Sequence, residues 1–355
     1  MRVCLITLGD PRRVTGGYLY HRRLADRAAG HDAEVEFVSF PRAPWPLPAA
    51  AGPWVWARAQ SQTPDVVVLD SIAAAFAAPW LWRWKLPLAA IVHQPPGGIG
   101  NSRSRSKLQT ALDMSVYRRA ARIMAASDSL GEDLSGRGIP DRKIRVVPPG
   151  KDVTRSEVGT VPELRAGRKA ALLCVANWNP PKGITELLEA VARLPRGVAT
   201  LHLVGDNQAN ARYALRVRRL LDDPRLRERV VVHGPVSSHE VARLYAAADI
   251  FVLPSTKEAY GTVYGEAMAA GLPVVGWDVG NLPHLASDGV EGFVVPTGDI
   301  AALATVLRRI AEDEDMRAGM ASAARDRALG FPTWDDTAQA FFAGLRELLN
   351  EFTKK

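Results

Sequence analysis

The sequence has little cysteine and no long uninterrupted apolar run. Only two of its 355 residues, Cys4 and Cys174, are cysteines. Two are too few for a disulfide framework, and each lies in an apolar stretch typical of a buried strand, so we expect reduced core residues. The most apolar long window, residues 72–92, is broken by two charges and two prolines and is a poor transmembrane segment. The first eight residues lack the features of a signal peptide, so export is not expected.

What is present indicates a globular protein of more than one domain. Apolar residues make up 47% of the chain and charged residues 23%, which are ordinary values for a folded protein. A chain of 355 residues exceeds the usual size of a single hydrophobic core. We therefore expect two domains of ordinary size.

The basic charge is confined to the first half. Residues 1–160 contain 22 Lys and Arg against 14 Asp and Glu, a net charge of +8, whereas the remainder has a net charge of −1. Such an excess favours an anionic partner, such as a membrane surface or a phosphorylated or lipid-linked acceptor. A solubilising surface in an arginine-rich protein is the open alternative. Binding of nucleic acid is not predicted.

Alternating strand and helix patterns occur in two series, separated by a predicted linker at Gly150–Gly167. In the first series, a strand at Arg2–Leu8 and a glycine-containing loop precede a helix predicted at Tyr18–Ala29. The backbone amides of Gly16 and Gly17 in that loop could face a phosphate. Two such series predict two doubly wound α/β domains.

A second loop of this kind, Asn177–Gly183, places Lys182 at the start of a helix predicted at Ile184–Leu194. A cation at a helix N-terminus opposes the helix dipole, so it is a poor choice unless an anion binds there. With a diphosphate, Lys182 would supply a positive charge beside backbone donors.

The most informative stretch is Ser255–Val275, in which Glu258 and Glu266 are separated by seven residues. A strand is predicted before it at Ile250–Leu253 and a helix within it at Tyr264–Ala270. Glu258 is then expected in the loop at the carboxyl end of the strand, and Glu266 in the first turn of the helix. Open α/β sheets bind ligands at this edge. The alternative for Glu266 is a simple partner of the helix dipole.

The pattern S-x-x-E-x-x-G-x-x-x-x-E-A-M-A-x-G-x-P-V-V across this stretch resembles the donor-site signature of the retaining glycosyltransferases of family 4, which have the GT-B fold. That resemblance implies two Rossmann-like domains facing each other across a cleft. The first is expected at residues 1–160 on the acceptor side, and the second at 161–333 on the nucleotide-sugar side. A helix at residues 334–355 is expected to return to the first domain.

The resemblance also implies roles for individual residues. Lys182 with the amides of Gly16 and Gly17 would hold the departing diphosphate, Glu266 the ribose, and Glu258 the hexose. His93, which ends a strand predicted at Leu88–Val92, would approach the donor sugar. A structural histidine bonded to backbone is the alternative. The remaining implied donor contacts are Asn177, Gly261 and Thr262, together with the backbone of Pro235 and Val236 for the nucleobase.

The resemblance implies transfer without a metal or other cofactor, and no D-x-D metal loop stands out in the sequence. One departure concerns the phosphate site, because the family's loop carries an arginine shortly before the lysine, where this chain has Ala176, Asn177 and Trp178. Arg12 or Arg13 could compensate. We expect a cytoplasmic enzyme that could contact the inner face of the membrane.

Two segments of the first half lie outside this scheme. Asn101–Lys107 is predicted to be a mobile loop near the acceptor or a solvated connection. Six of the nine tryptophans lie between residues 45 and 84. They could meet lipid headgroups, but packing of their rings into the protein is the favoured interpretation. Alternative functions are a nucleotide-sugar epimerase and a non-catalytic nucleotide-sugar binder.

Overall fold

The structure is a computed structural model that describes residues 1–11, 16–99, 102–151 and 161–354. The chain divides into two compact units. The first consists of Met1–Asp152 together with Pro332–Lys355, and the second of Val153–Phe331. Each unit is built on a six-stranded sheet in which all neighbouring strands are parallel. The predicted α/β class with two doubly wound sheets is confirmed.

The sheet of the first unit has the order β2-β1-β3-β4-β5-β6, so the strand order reverses between β1 and β3. All residues of β3 and β4 are buried, as expected for parallel strands covered by helices on both faces. The strands are β1 (Arg2–Leu8), β2 (Glu34–Phe40), β3 (Val66–Asp70), β4 (Leu88–Val92), β5 (Arg122–Ala125) and β6 (Ile144–Val146). The helices are α1 (Gly16–Arg27), α2 (Gly52–Ser61), α3 (Ser71–Ala77), α4 (Arg103–Arg119) and α5 (Asp128–Gly136).

The sheet of the second unit has the order β12-β11-β10-β7-β8-β9 and reverses between β7 and β10. Its strands are β7 (Ala170–Val175), β8 (Ala199–Val204), β9 (Val230–Gly234), β10 (Ile250–Leu253), β11 (Val274–Trp277) and β12 (Gly292–Val295). Its helices are α6 (Ile184–Ala192), α7 (Ala211–Leu221), α8 (Ser238–Ala247), α9 (Thr262–Ala269), α10 (Leu282–Leu285), α11 (Ile300–Glu312) and α12 (Glu314–Leu329). In such a sheet, the point of reversal is where ligands bind.

The last helix, α13 (Trp334–Thr353), belongs to the first unit. It begins with a capping box, in which the Thr333 side chain and the Asp336 side chain each bond to the other residue's backbone N–H. Phe341, Phe342 and Leu345 are fully buried and join the core formed by the strands of that unit.

Two helix starts in the first unit differ from the sequence prediction. The helix α4 begins at Arg103, so the predicted loop at residues 101–107 is wrong from that residue onward, while Asn101 lies outside the described residues. Its first turns carry no apolar residue to reveal a buried face, yet Arg and Lys are good helix formers. The helix α1 begins at Gly16, two residues before the predicted start, so Gly16 and Gly17 form its first turn.

The cysteines are both buried, whereas the tryptophans differ from one another in exposure. Cys4 and Cys174 are free and buried, as predicted, and burial raises the pKa of each thiol to about 12. The Trp56 and Trp84 rings pack against each other with centroids 4.6 Å apart, whereas Trp82 is 73% exposed. Among the described helices, none combines the length and apolarity needed to cross a bilayer.

Candidate functional site

The loops that follow β7 and β10 are bonded together where the strand order of the second unit reverses. The backbone N–H of Thr256 and the hydroxyl of Ser255 both donate to the carbonyl of Pro181, at 2.8 and 2.9 Å. These bonds bring two sequence-predicted side chains into contact, and Lys182 Nζ donates to Glu258 Oε2 at 2.7 Å. The side chains of Lys182 and Glu258 are 28% and 14% exposed. The sequence placed both at this edge but did not predict that they would pair.

Two glycines allow the loops to approach this closely. Gly183 has a φ of +66°, and a Cβ built on it would lie 1.9 Å from the carbonyl oxygen of Pro254. Gly280, with a φ of +62°, lies against Glu258, and its Cβ would be 1.8 Å from the Glu258 carbonyl oxygen. No side chain could occupy either position without moving backbone. The position of Glu258 therefore depends on glycine at both contacts.

The structure places Glu266 differently from the prediction. The helix α9 begins at Thr262, with Gly261 as its N-cap at a φ of +84°, so Glu266 lies in the second turn rather than the first. The predicted start at Tyr264 was late because the helix is capped by a glycine in the left-handed region, without a side-chain cap. The hydroxyl of Tyr245 donates to Glu266 Oε2 at 3.1 Å, and burial raises the pKa of Tyr245 well above its usual value.

The other predicted donor contacts of this unit lie in neighbouring loops. Asn177 follows β7, and its side-chain carbonyl accepts the backbone N–H of Asp206 at 2.9 Å. Trp178, within the interval where the family carries an arginine, is 2% exposed and part of the core. Pro235 and Val236 connect β9 to α8. The suggested compensating residues, Arg12 and Arg13, lie outside the described residues.

A second cluster lies at the carboxyl ends of β1, β3 and β4 in the first unit. His93 directly follows β4, and a Cβ added to Gly17 in the first turn of α1 would lie 3.7 Å from its ring. The Nε2 atom of His93 is 3.0 Å from Nε2 of His21, which is on α1 and completely buried. Asp70, the last residue of β3, places Oδ2 3.7 Å from the same His21 atom.

Burial dominates the electrostatics of this cluster. It lowers the pKa of His21 to about 3, and together with the neighbouring His21 it lowers the pKa of His93 to about 3. Both rings are therefore neutral at ordinary pH. Burial also raises the pKa of Asp70, whose Oδ2 accepts the Thr7 hydroxyl at 2.7 Å.

The sequence interpretation did not single out His21 or Asp70. One feature of the sequence could have pointed to His21. It lies in the predicted helix between the apolar residues Tyr20 and Leu24, and the structure buries all three side chains. A histidine in an apolar stripe is, however, more often a satisfied core residue than a functional one.

The possible metal ligands are few in the part of the chain that the structure describes. His21, Asp70 and His93 form a group whose ligand atoms all lie within 4.8 Å of one another. The 3.0 Å separation of the two ring nitrogens is that of a hydrogen bond. The sequence also contains one D-x-D triplet, Asp313-Glu314-Asp315, but Asp313 caps α12 by accepting the N–H of Met316.

Two parallel six-stranded α/β sheets, with the predicted donor-site side chains at the edge where strand order reverses, define the class of GT-B glycosyltransferases. Residues 161–327 match the family model described as glycosyl transferases group 1, and residues 1–150 match the glycosyl transferase 4-like domain. The chain belongs to this glycosyltransferase family.

The curated relatives include D-inositol 3-phosphate glycosyltransferases. That of Mycobacterium marinum is 31% identical over 288 residues, which cover 76% of this chain and 60% of the relative. That of Xylanimonas cellulosilytica is 30% identical over 280 residues, which cover 73% of this chain and 66% of the relative. The chain thus spans about three-fifths of the length of the curated relatives it matches.

Solved structures share the fold. Sucrose-phosphate synthase from Thermosynechococcus elongatus aligns with a TM-score of 0.83 at 20% identity, covering 99% of both chains. Anabaena HepE in complex with UDP-glucose aligns with a TM-score of 0.78 at 21% identity, covering 98% of this chain and 100% of that one. At these identities the likeness concerns the fold alone.

Proposed function

We propose that the protein transfers a sugar from a nucleotide diphosphate sugar to an acceptor hydroxyl with retention of configuration and without a resident metal. The observation that carries this proposal is the 2.7 Å pair of Lys182 and Glu258 between the loops after β7 and β10. A cation for the diphosphate and a carboxylate for sugar hydroxyls thus stand side by side at the ligand-binding edge of an open sheet. HepE, which has the same fold, binds UDP-glucose.

The donor roles follow from the positions of these groups. Lys182 lies just before α6, whose N-cap Gly183 has no side-chain cap, so its charge stands at a helix N-terminus, where the helix dipole favours an anion such as a diphosphate. Glu266 near the start of α9 accepts ribose hydroxyls, with Gly261 and Thr262 beside it. The backbone of Pro235 and Val236 contacts the nucleobase, and Asn177 orders the loop before Lys182. In the first unit, the proposed diphosphate contacts are the backbone amides of Gly16 and Gly17, and the proposed sugar contact is His93.

Retention is proposed through departure and attack on the same face of the sugar. The bond between the anomeric carbon and the diphosphate oxygen breaks, and the diphosphate leaves with the electron pair. The acceptor oxygen bonds to the same carbon, and its proton passes to the departing phosphate oxygen. The cation at Lys182 stabilises the negative charge that develops on the diphosphate, which is why no metal is required.

An anionic acceptor is supported by charge in the first unit. Arg103, Arg105 and Lys107 are exposed in the first turns of α4, which has no acidic residue in its first turn and no side-chain cap. Cations here oppose the helix dipole, and a bound phosphate would offset that cost. The named relatives act on an inositol phosphate.

The experiment for this proposal is a transfer assay with a panel of nucleotide sugars and of phosphorylated and neutral polyol acceptors, followed by NMR assignment of the product anomer. A product with the donor's anomeric configuration is expected, and an inverted product would exclude the stated mechanism. The double variant Arg103→Ala/Lys107→Ala should raise KM for a phosphorylated acceptor. Arg58→Ala/Arg118→Ala, which removes the same charge from exposed positions near helix ends, should not.

The same assay separates other activities. Tight donor binding without transfer to any acceptor would favour a non-catalytic binder. A new sugar nucleotide formed from the donor alone would favour an epimerase.

A further inference from the structure

The position of the proton on the buried His21 ring can be inferred from the surroundings of its two nitrogens, Nδ1 and Nε2. Its Nδ1 atom is buried and has no hydrogen-bond partner among the described residues. A proton on Nδ1 would leave a buried N–H without an acceptor, whereas a proton on Nε2 would leave only an unpaired lone pair at Nδ1, and buried N–H groups without a partner are the rarer case in proteins. A proton on Nε2 instead points toward the His93 Nε2 atom at 3.0 Å. This geometry favours a proton on Nε2 of the neutral ring.

Asp70 favours the same arrangement. Its Oδ2 atom is 3.7 Å from His21 Nε2, so negative charge or a lone pair lies near that N–H rather than near Nδ1. The carboxyl is itself held in place by the Thr7 hydroxyl at 2.7 Å and by the backbone N–H of Ile72 at 3.3 Å.

The proton of His21 determines that of His93. A neutral imidazole has one donor nitrogen and one acceptor nitrogen. If His21 donates from Nε2, the Nε2 atom of His93 is the acceptor, and the single proton of His93 must lie on Nδ1. Among the described residues, no hydrogen bond to His93 Nδ1 is found, so this N–H is available to a ligand.

The backbone and ring of His93 are also held independently of His21. Its backbone N–H donates to the Ser71 hydroxyl at 3.2 Å, and its ring packs edge-on against Tyr20 with centroids 4.7 Å apart. Removing the His21 donor should therefore change the proton position on His93 more than the ring position.

From this geometry we propose that His21 is a positioning residue that holds His93 as the Nδ1–H tautomer, with Asp70 orienting the His21 donor. The consequence for catalysis rests on the proposed function: His93 acts as a hydrogen-bond donor to a hydroxyl of the donor sugar and not as a base. A hydroxyl oxygen accepts this bond while its own proton remains free for another acceptor.

The test is long-range ¹H–¹⁵N correlation NMR of the ring nitrogens in the 355-residue chain, which has seven histidines. Wild-type protein is expected to show His21 protonated on Nε2 and His93 on Nδ1. His21→Phe, which keeps a flat ring but has no donor, should shift His93 toward the Nε2–H tautomer. His21→Gln, whose side-chain amide can donate, should preserve Nδ1–H. His239→Gln, at an exposed position on α8, is the matched control.

Kinetics provide a second readout. With a working donor, His21→Phe should lower kcat by roughly tenfold, the effect of about 1.4 kcal/mol, and His21→Gln should restore most of it. Finding His93 as Nε2–H in the wild type overturns the proposal, even if His21→Phe does not fold. Equal tautomers and rates in both variants overturn it as well. Coordination of one Zn²⁺ by both rings would also overturn the proposal, because a metal site would then replace the hydrogen bond between His21 and His93.

Because the tautomers are measured in the ligand-free protein, they do not depend on transferase activity. A protein that lacks transfer but shows the expected tautomers would contradict the proposed function and leave the role of His21 intact. The opposite result would contradict only the role of His21.

Discussion

Replacing Glu258 with glutamine should separate nucleotide binding from sugar transfer. In the free protein, Lys182 Nζ is bonded to Glu258 Oε2 at 2.7 Å. At an effective dielectric constant of about 20, two unit charges at 2.7 Å attract by roughly 6 kcal/mol before desolvation is counted. Desolvation and side-chain ordering offset most of this, so a net coupling of about 1–3 kcal/mol is a reasonable scale. That coupling competes with the diphosphate for Lys182.

Glu258→Gln removes the competing charge while keeping the shape of the side chain. Affinity for a nucleoside diphosphate without sugar should then stay unchanged or rise by up to about tenfold, the equivalent of 1.4 kcal/mol. Sugar transfer should fall on the order of 10²-fold, because the acceptor of the hexose hydroxyls loses its charge. Lys182→Met should lower both diphosphate affinity and transfer, since a charge-assisted bond contributes about 1.5–3 kcal/mol.

Calorimetric titration of the nucleoside diphosphate and steady-state transfer rates measure the two effects. The matched control is the exposed pair Lys169 and Glu312 in the same unit, 3.7 Å apart, with Lys169 directly before β7. Lys169→Met and Glu312→Gln should change neither quantity. Near-normal turnover in both Lys182→Met and Glu258→Gln would remove this pair from the site. An equal loss of diphosphate affinity in both would refute the division of roles.

Three further results are expected. Gly183→Ala should lower the free energy of unfolding by about 1–3 kcal/mol in urea denaturation, because its φ is +66° and Cβ would meet the Pro254 carbonyl; Gly197→Ala, with open space around it, should be close to neutral. Burial raises the pKa of Asp113 to about 7, so its contribution to stability is present below pH 4 and lost as pH rises to 7; Asp113→Asn should flatten that slope of the unfolding free energy, and an unchanged slope would contradict it. Transfer should persist in excess chelator, and its loss with recovery on adding a divalent cation would contradict the metal-free mechanism.

The sequence was most informative where β-prone runs end at glycine or proline. The strands β1, β4 and β10 begin and end at the predicted residues, because a parallel strand buried on both faces leaves a continuous apolar run. The loops after these strands could be assigned to one edge of a sheet for the same reason. That was enough to place Lys182 and Glu258 at the same edge.

Helix starts and side-chain partners were harder to predict from the sequence. The start of α4 was missed because an Arg- and Ser-rich first turn has the composition of a solvated loop. The position of Glu266 shifted by one turn because Gly261 caps α9 with backbone alone. The His21–His93 contact joins residues 72 positions apart, and a pattern within one helix cannot specify such a contact.

The central claim is that the edge formed by Lys182 and Glu258 binds a nucleotide diphosphate sugar. The most direct measurement is a thermal-unfolding screen of nucleoside diphosphates and their sugars, with wild type beside Lys182→Met. A donor at 100 times its dissociation constant should stabilise wild type by about 2.7 kcal/mol, and at the same concentration it should stabilise the variant far less. No stabilisation of wild type by any nucleotide sugar, or equal stabilisation of both proteins, would contradict the claim.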